Sequence, residues 1–130
     1  MSIKFEVSDL IPASPKAIFI AWLDSGQHTK MTGGQAKVSA NIGEKFEAWD
    51  GYIEGINLEL EAPKRILQHW RTNEFDEADE DSLVEILLQA EGDGTRVTIL
   101  HSNLPEHGMQ YQQGWIDAYF TPMKEYFEGM

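Results

Sequence analysis

Histidine is the residue type in this chain with the best prospect of acid–base chemistry, because its side chain titrates near neutral pH. Of the four histidines, His101 is the candidate for proton transfer, since it is in phase with Val97 and Ile99 along one strand-like segment. No carboxylate shares its face, so a structural histidine, hydrogen-bonded at the strand end, is the favoured interpretation. Asp50, beside Trp49, lies in a turn-like segment and is interpreted first as a turn former. It could also approach the mouth of the cavity that is predicted below.

Metal, thiol and cofactor chemistry are not predicted. His28, His69 and His107 fall in different segments, without the i, i+4 spacing that places two metal ligands on one helical face. The chain has no cysteine, which removes disulfides, thiol catalysis and cysteine metal sites and is compatible with a reducing cytoplasm. We therefore predict no catalytic residue, no metal ligand and no cofactor, and we expect a cytoplasmic location.

The charge balance argues against two classes of partner. Ten basic residues stand against 22 acidic ones, giving a formal net charge of −12. Phosphate backbones and anionic membranes repel such a surface, so neither nucleic acid nor membrane is an expected partner. The first twelve residues alternate in polarity and lack the apolar stretch of a signal peptide, and no run approaches the roughly 20 apolar residues of a spanning helix.

The elements that must position these residues begin with a strand and one or two helices. Ile3, Phe5 and Val7 alternate with polar residues, which predicts a half-buried strand. Ser14 and Pro15 then suit the cap and first turn of a helix. The segment 25–34, which ends in two glycines, is predicted to be a second short helix or an irregular loop.

Alternating patterns over the middle of the chain predict antiparallel strands. Segments 36–40 and 44–49 flank a turn signal at Asn41-Ile42-Gly43, and segments 52–61 and 65–71 flank Ala62-Pro63-Lys64. Gly92-Asp93-Gly94 is a strong hairpin signal between two further strands. The inward-facing residues are predicted to be Ile56, Leu58, Leu60, Ile66, Gln68, Trp70, Val84, Ile86, Leu88, Ala90, Val97, Ile99 and His101.

An acidic loop and a long helix complete the pattern. Six acidic residues lie between Glu74 and Asp81 without the glycine that a calcium loop needs, so we interpret this segment as a solvated hairpin tip. Beyond residue 108 an amphipathic helix is predicted, in which Pro122 should introduce a kink. Gly114 would either permit close approach to the sheet or be a tolerated surface glycine. Its aromatic stripe recurs every four residues, at Tyr111, Trp115, Tyr119, Met123 and Phe127.

This order of elements predicts an α+β fold in one domain, residues 1–130, with the last helix laid across the concave face of a curved antiparallel sheet of about six or seven strands. The helix stripe is rich in large aromatic residues with polar tips, which predicts a partly wet cavity between helix and sheet. The alternative is that these rings only fill the core. The predicted pocket residues are Trp49, Ile56, Leu58, Gln68, Trp70, Ile86, Leu88, Ile99, His101, Tyr111, Trp115 and Tyr119.

Three segments resemble a known family. FEAWDGYIEGINLELEAPKRILQHWR, GDGTRVTILHSNLPEH and YQQGWIDAYFTPMKEYF span 46–127 and together resemble the Hsp90 ATPase activator-like (Aha1 C-terminal domain) family of the START/Bet v 1-like superfamily. The earlier SPKAIFIAWLDSGQHTKMTGG is similar to the first helical stretch of that family. The resemblance implies a helix-grip fold, a curved sheet wrapped round a C-terminal helix, in agreement with the architecture reached from periodicity.

Three functions remain open from the sequence. The leading hypothesis is a non-catalytic domain that binds a small hydrophobic or aromatic molecule between helix and sheet. The resemblance implies an alternative, an activator of an Hsp90-type chaperone ATPase or stress-response co-chaperone, although full-length activators carry an additional N-terminal domain for which we expect no room in this chain. A cyclase- or hydrolase-like enzyme of the same superfamily is the third. We expect a monomer or a weak homodimer.

Overall fold

A curved antiparallel sheet of six strands is the frame of the protein in the computed structural model, which describes residues 3–129. The strand order is β1-β6-β5-β4-β3-β2, so every pair except β1–β6 joins strands that are consecutive in the sequence. The hairpin predicted at Gly92-Asp93-Gly94 is present, and Gly92 and Asp93 join β5 to β6. The strands are β1 (Ile3–Ile11), β2 (Lys45–Ala48), β3 (Ile53–Glu61), β4 (Arg65–Thr72), β5 (Ser82–Glu91) and β6 (Gly94–Leu104).

Two short helices follow β1. In α1 (Pro15–Trp22) the side chain of Ser14 accepts a hydrogen bond from the Ala17 N–H and Pro15 occupies the first turn, as the sequence predicts. The segment interpreted as a helix or a loop is helical, forming α2 (Ser25–Thr32). Asp24 caps its N-terminus, and Gly33 ends it with a φ of 90°, which glycine adopts without strain.

The C-terminal helix runs from a 3₁₀ turn (Glu106–Met109) through α3 (Gln110–Trp115) and a π-helical turn (Ile116–Phe120) into α4 (Thr121–Glu128). Pro122 cannot donate the hydrogen bond that would reach the carbonyl four residues earlier. In the same region the Thr121 N–H bonds instead to the Ile116 carbonyl, five residues back. One wide turn thus accompanies the proline at which a kink was predicted.

The core lies between the concave face of the sheet and the helices. Inward residues of β4, β5 and β6 alternate strictly with half-buried ones, as the sequence predicts for these strands, except that Ala90 near the end of β5 is exposed. All five residues of the four-residue helix stripe are at most 8% exposed. The predicted helix-grip architecture is therefore confirmed.

The predicted strand at 36–40 does not form. Its backbone is tied to α2, because the Ala36 N–H donates to Thr29 Oγ1 at 3.0 Å and the Val38 N–H donates to Ser25 Oγ at 2.9 Å. Only Lys37 pairs in β fashion, as an isolated bridge. Side chains of the preceding helix thus take the hydrogen bonds that a second strand would have supplied.

The predicted facing of β3 is wrong over its middle. A β-bulge between Asn57 and Glu59 inserts one extra residue, Leu58, opposite β4 and reverses the alternation. Asn57 therefore points inward and is 1% exposed. Ile56, which pairs with outward-facing His69, lies on the outer face of the sheet. The reason is chemical: Asn57 has three hydrogen-bond partners in the interior, which an isoleucine side chain could not use.

Candidate functional site

A cleft of about 300 Å³ lies between the C-terminal helix and the end of the sheet formed by β3 and β4. Five of its lining residues are buried, and the other four are half-buried and form its mouth. The lining residues are Trp49, Tyr52, Ile53, Trp70, Tyr111, Gly114, Trp115, Ala118 and Tyr119.

The helix contributes five of these residues because their spacing keeps them on one side. Each residue of a regular α-helix turns the chain by about 100°, so a stripe with a four-residue repeat drifts by about 40° per step. The π-helical turn holds more residues per turn and takes back part of this drift. Tyr111, Trp115 and Tyr119 consequently all face the sheet, with Gly114 and Ala118 beside them.

The sheet side of the cleft is formed by Trp70 of β4, Ile53 of β3 and the turn before β3. Trp49 has a φ of 52°, a left-handed conformation that is uncommon for a non-glycine residue. Its ring packs against Gly34, where a Cβ atom would come within 2.6 Å of the indole. A glycine at position 34 is therefore required to seat Trp49 over the cleft.

A chain of hydrogen bonds anchors Trp115 to the sheet. Its indole N–H donates to His101 Nδ1 at 3.0 Å, so the neutral imidazole carries its proton on Nε2. That nitrogen lies 2.8 Å from Ser82 Oγ, and the Ser82 hydroxyl donates to the Trp70 carbonyl at 2.6 Å. Burial lowers the pKa of His101 to about 3. Both of its nitrogens are occupied, which leaves no lone pair for a substrate.

A second histidine anchors Tyr119. His28 Nδ1 lies 2.8 Å from the Trp22 carbonyl and donates to it, so Nε2 accepts a hydrogen bond from the Tyr119 hydroxyl at 3.1 Å. Burial lowers the pKa of His28, partly opposed by its backbone hydrogen bond, and burial also raises the pKa of Tyr119. The ring of Trp22 stacks on Tyr119 with centroids 4.9 Å apart and supports it from behind.

The remaining tyrosines are tied at the other end of the cleft. The Tyr111 hydroxyl lies 2.6 Å from Thr72 Oγ1, and the Tyr52 hydroxyl donates to the Glu74 carboxylate. Gln110 also donates to Glu74, which links the β4–β5 loop to the start of the C-terminal helix. The pKa of Tyr52 is raised, first by burial and then by the hydrogen bond to Glu74.

The polar tips of Tyr111, Trp115 and Tyr119 therefore point into the protein, and the cleft presents almost only carbon. The partly wet cavity predicted from the sequence assumed that the tips face the void. They do not, because His28, Thr72 and His101 satisfy three of them from behind, and exposed Glu74 satisfies the Tyr52 hydroxyl at the mouth. The indole N–H of Trp49 is enclosed and has no hydrogen-bond partner among residues 3–129.

The predicted pocket residues divide into three groups. Trp49, Trp70, Tyr111, Trp115 and Tyr119 are brought together around the cleft. Gln68, Ile86, Leu88, Ile99 and His101 are buried on the inner face of the sheet and do not line the cleft.

Ile56 and Leu58 form the third group, and the structure contradicts their predicted position. The bulge turns Ile56 to the outer face, where it borders a charged groove with Lys45, Glu54 and Arg71. Leu58 is the extra residue of the bulge and is half-buried outside the cleft. The alternation rule fails here because it assumes one residue per pleat, which a bulge violates.

Sequence reasoning missed four lining residues: Tyr52, Ile53, Gly114 and Ala118. Gly114 and Ala118 share the helix face of Tyr111 and Trp115, at i+3 positions, so their place was available from helical periodicity. A Cβ atom at Gly114 would meet nothing within 4 Å. This glycine therefore borders open space and does not serve close helix–sheet approach, which was one of its two interpretations.

Two further observations bear on the choice of chemistry. Within residues 3–129, no group of three or more His, Asp or Glu side chains is arranged to hold a metal ion. In the same range, no helix has both the length and the apolar character needed to cross a membrane.

Comparison with known proteins places this architecture. The family model described as "Activator of Hsp90 ATPase homolog 1-like protein" matches residues 12–128. No curated protein sequence is significantly similar to the chain.

Several solved structures share the fold. An Hsp90 activator from Plasmodium falciparum superposes with a TM-score of 0.84 at 22% identity, over 95% of this chain and 94% of that one. The Aha1 dimer from Colwellia psychrerythraea gives a TM-score of 0.80 at 18% identity, over 97% and 96%. CalU16 from Micromonospora echinospora gives 0.77 at 24% identity, over 97% and 76%. At these identities the likeness shows the Bet v 1-like fold.

Proposed function

The chain belongs to the Activator of Hsp90 ATPase homolog 1-like family, and from that premise we propose that it is a non-catalytic binding domain for a small apolar or aromatic molecule. The ligand occupies the cleft between the C-terminal helix and the sheet. The observation that carries this proposal is the carbon-lined cleft itself, bordered by six aromatic rings. We propose that the protein performs this function in the cytoplasm.

The size and polarity of the cleft define the ligand. Its volume of about 300 Å³ is roughly twice that of a dry cavity that holds benzene. A bicyclic or similarly compact molecule of about ten to twelve non-hydrogen atoms fits this space, which lies at the small end of natural ligand pockets. Because the polar groups of the walls are hydrogen-bonded within the protein or, for the indole N–H of Trp49, enclosed, affinity comes from apolar burial and ring contacts.

An enzymatic role for His101 is not supported by its surroundings. A general acid or base must reach the proton that it transfers, either directly or through one water molecule. His101 is 1% exposed, lies outside the cleft lining, and uses both ring nitrogens within the protein. These contacts favour a binding domain over a cyclase- or hydrolase-like enzyme.

A titration with naphthalene tests the proposal. Binding is monitored by NMR through the amide resonances of the isotope-labelled protein. We expect saturable shifts centred on Ile53, Gly114 and Ala118, with a Kd on the order of 0.1 mM or tighter. Ala118→Leu fills the cleft and should weaken binding strongly. Thr121→Leu adds the same side chain on the exposed side of the same helix and should not. Absence of saturable binding to the unmodified protein would contradict the proposal.

A second candidate function is the activation of an Hsp90-type chaperone ATPase. It is favoured by the family match and by the solved Hsp90 activator with the same fold. The acidic β4–β5 loop, which carries six carboxylates between Glu74 and Asp81, would steer the chain towards a basic surface of the chaperone. The relative from Colwellia was solved as a dimer, and we propose a monomer or a weak homodimer here.

An ATPase assay with a purified Hsp90-type chaperone tests this second function. We expect stimulation at micromolar concentrations of this protein that falls as salt rises. Glu77→Lys in the acidic loop should reduce the stimulation, whereas Asp93→Lys, at the opposite end of β5, should leave it intact. No stimulation at high micromolar protein would rule the function out.

A further inference from the structure

The walls of the cleft differ in composition from the rest of the interior. Six of its nine lining residues are aromatic. Aliphatic side chains instead dominate the interior between β1, β5, β6 and α1; examples are Ile11, Ile18, Val97, Ile86 and Ile99, all fully buried. An apolar ligand would be held equally well by such aliphatic walls. Aromatic walls add a negative quadrupole above each ring face, which attracts a cation.

The rings also meet at varied angles and do not form one stack. Trp70 is inclined by 37° to Trp115 and by 79° to Tyr111, with centroids 5.7 Å and 4.9 Å away. Trp115 is inclined by 43° to Tyr119 at 4.9 Å. Rings with several orientations can contact a compact, roughly spherical group from more than one side.

The hydrogen bonds behind the rings restrict which cation can enter. The hydroxyls of Tyr52, Tyr111 and Tyr119 and the indole N–H of Trp115 all have partners within the protein. Among the rings a primary ammonium would lose its bonds to water and meet almost only carbon, which carries a large desolvation cost. A quaternary ammonium has no N–H group to satisfy and avoids that cost.

The charges near the cleft favour a positive ligand. No lining residue is charged. Glu74 lies at the mouth, bonded to Tyr52, and Asp50 follows Trp49 in the same turn. The nearest arginine in sequence, Arg71, bonds to Asp81 on the outer face. The whole chain carries a net charge of −12, so a cation is also drawn to the protein at long range.

We propose that the cleft binds a small organic cation whose charge is carried by a quaternary ammonium group. This inference rests on the ligand-binding function proposed above and names the chemical class of its ligand. The methylated nitrogen sits among the rings of Trp49, Trp70 and Trp115, and an apolar arm occupies the remainder of the cleft.

Two probes of nearly identical shape test the role of the charge. Benzyltrimethylammonium and neopentylbenzene differ only at the branched centre, which is a charged nitrogen in the first and a carbon in the second. Each molecule has eleven non-hydrogen atoms. We expect the cation to bind about tenfold tighter or better than its neutral counterpart. Raising sodium chloride from about 0.02 to 0.5 M should weaken binding of the cation and leave that of neopentylbenzene nearly constant.

The possible results separate this inference from the function on which it rests. Equal or tighter binding of neopentylbenzene would overturn the cation assignment and leave the apolar-ligand function standing. If neither probe binds, and naphthalene does not bind either, the ligand-binding function itself fails. Shifts of amide resonances outside the cleft would also overturn the assignment, since the cation would then be held by surface carboxylates.

Paired variants extend the test to the rings. Trp49→Leu removes one aromatic wall from the half-buried mouth and should reduce the preference for the cation about threefold or more. Tyr126→Leu removes an aromatic ring elsewhere on the C-terminal helix and should leave the preference unchanged. If Trp49→Leu keeps the same preference for benzyltrimethylammonium over neopentylbenzene, the ammonium group does not lie beside the Trp49 ring, and the proposal is contradicted.

Discussion

His101 is held in one protonation state by the groups around it. Protonation would place a hydrogen on Nδ1, against the indole N–H of Trp115, and would put a charge where water cannot reach. The pKa of His101 is about 3 in the folded protein, against 6.5 for an exposed histidine. This residue therefore acts as a neutral acceptor that orients Trp115 towards the cleft.

Mild acid should consequently destabilise the protein. Because the unfolded state binds a proton near pH 6.5 and the folded state does not, stability is retained above pH 6.5 and falls as the pH drops towards 3. Between pH 6.5 and 5 we expect His101 to account for a loss of about 2 kcal/mol in the free energy of unfolding. His28, whose pKa is also lowered, adds to the loss.

Urea unfolding at several pH values measures this dependence. His101→Gln can still accept from Trp115 and donate to Ser82, and it has no proton to gain. The variant should show a shallower decline between pH 6.5 and 5 than the unmodified protein. The same slope in both proteins would show that His101 is not the group responsible.

At the scale of elements, the bulge in β3 decides which side chains enter the core. Asn57 donates to the carbonyls of Ser39 and Asn41 at 2.9 and 3.1 Å and accepts from Gln68 at 2.8 Å. It thereby fixes the loop before β2 to the middle of the sheet. A polar residue inside the sheet is tolerated because all of its hydrogen bonds are made.

Because of the bulge, we expect alanine to cost more stability at polar Asn57 than at apolar Ile56, the reverse of what side-chain hydrophobicity alone would predict. Asn57→Ala should lower the free energy of unfolding by about 2–4 kcal/mol, since it leaves buried partners unsatisfied. Ile56→Ala, on the outer face, should cost about 1 kcal/mol or less despite removing the larger apolar side chain. Chemical denaturation of both variants measures the difference, and a larger cost for Ile56→Ala would contradict the facing described here.

The C-terminal helix combines a strict four-residue stripe with one π-helical turn. The Thr121 N–H donates to the Ile116 carbonyl. Thr121 directly precedes Pro122, which has no N–H to donate. The wider turn keeps Trp115 and Tyr119 on the side that faces the sheet. Gly114, one residue before Trp115, leaves room for the cleft at the point where a side chain would narrow it.

Gly114→Ala should therefore separate stability from binding. Alanine in a helix interior is favoured over glycine by about 0.5–1 kcal/mol, and its methyl group meets no neighbour. The same methyl group projects into the cleft, so naphthalene affinity should fall roughly fivefold. Thermal unfolding and the amide-shift titration measure the two effects.

Gly26→Ala in α2 is the matched control. Its methyl group would make only an ordinary contact, 3.5 Å from Asp24 Oδ2, and the residue does not line the cleft. We expect a small gain in stability and unchanged affinity. If Gly114→Ala binds naphthalene as tightly as the unmodified protein, the cleft does not extend to this part of the helix.

At the scale of the whole molecule, net charge opposes folding. Twelve excess negative charges repel one another in the compact state. Arg65 offsets part of this repulsion by pairing with Glu59, Glu61 and Glu85 across three strands. These pairs are partly exposed, so each contributes little.

Screening should therefore stabilise the protein. We expect the melting temperature to rise as sodium chloride increases from about 0.02 to 0.5 M. Salt shortens the distance over which carboxylates repel one another, so the repulsion in the folded state becomes weaker. Differential scanning calorimetry measures this directly. A fall in melting temperature would mean that the ion pairs around Arg65 outweigh the general repulsion.

Much of the architecture could be predicted because periodicity is a local property. The capping pattern at Ser14-Pro15 placed α1, alternation placed β4, β5 and β6, and the aromatic stripe placed the C-terminal helix on the sheet. The strand at 36–40 and the facing of Ile56 were wrong. In both cases a hydrogen bond with a distant residue outweighed the local pattern: the Ser25 hydroxyl accepts from the Val38 N–H, and the Asn57 side chain donates to the Ser39 carbonyl.

The sequence by itself determined most of the residues that lie inside β4, β5, β6 and the C-terminal helix, because burial there follows from the alternation of apolar and polar residues along each element. Only the tertiary structure decided which of those residues border an empty volume. A void depends on how the sizes of side chains from the helix, two strands and the turn at Trp49 add up at one place. The volume cannot be predicted from any single segment of the sequence. The hydrogen-bond partners of the polar tips are also remote in sequence: His28, which binds the Tyr119 hydroxyl, is 91 residues away from it.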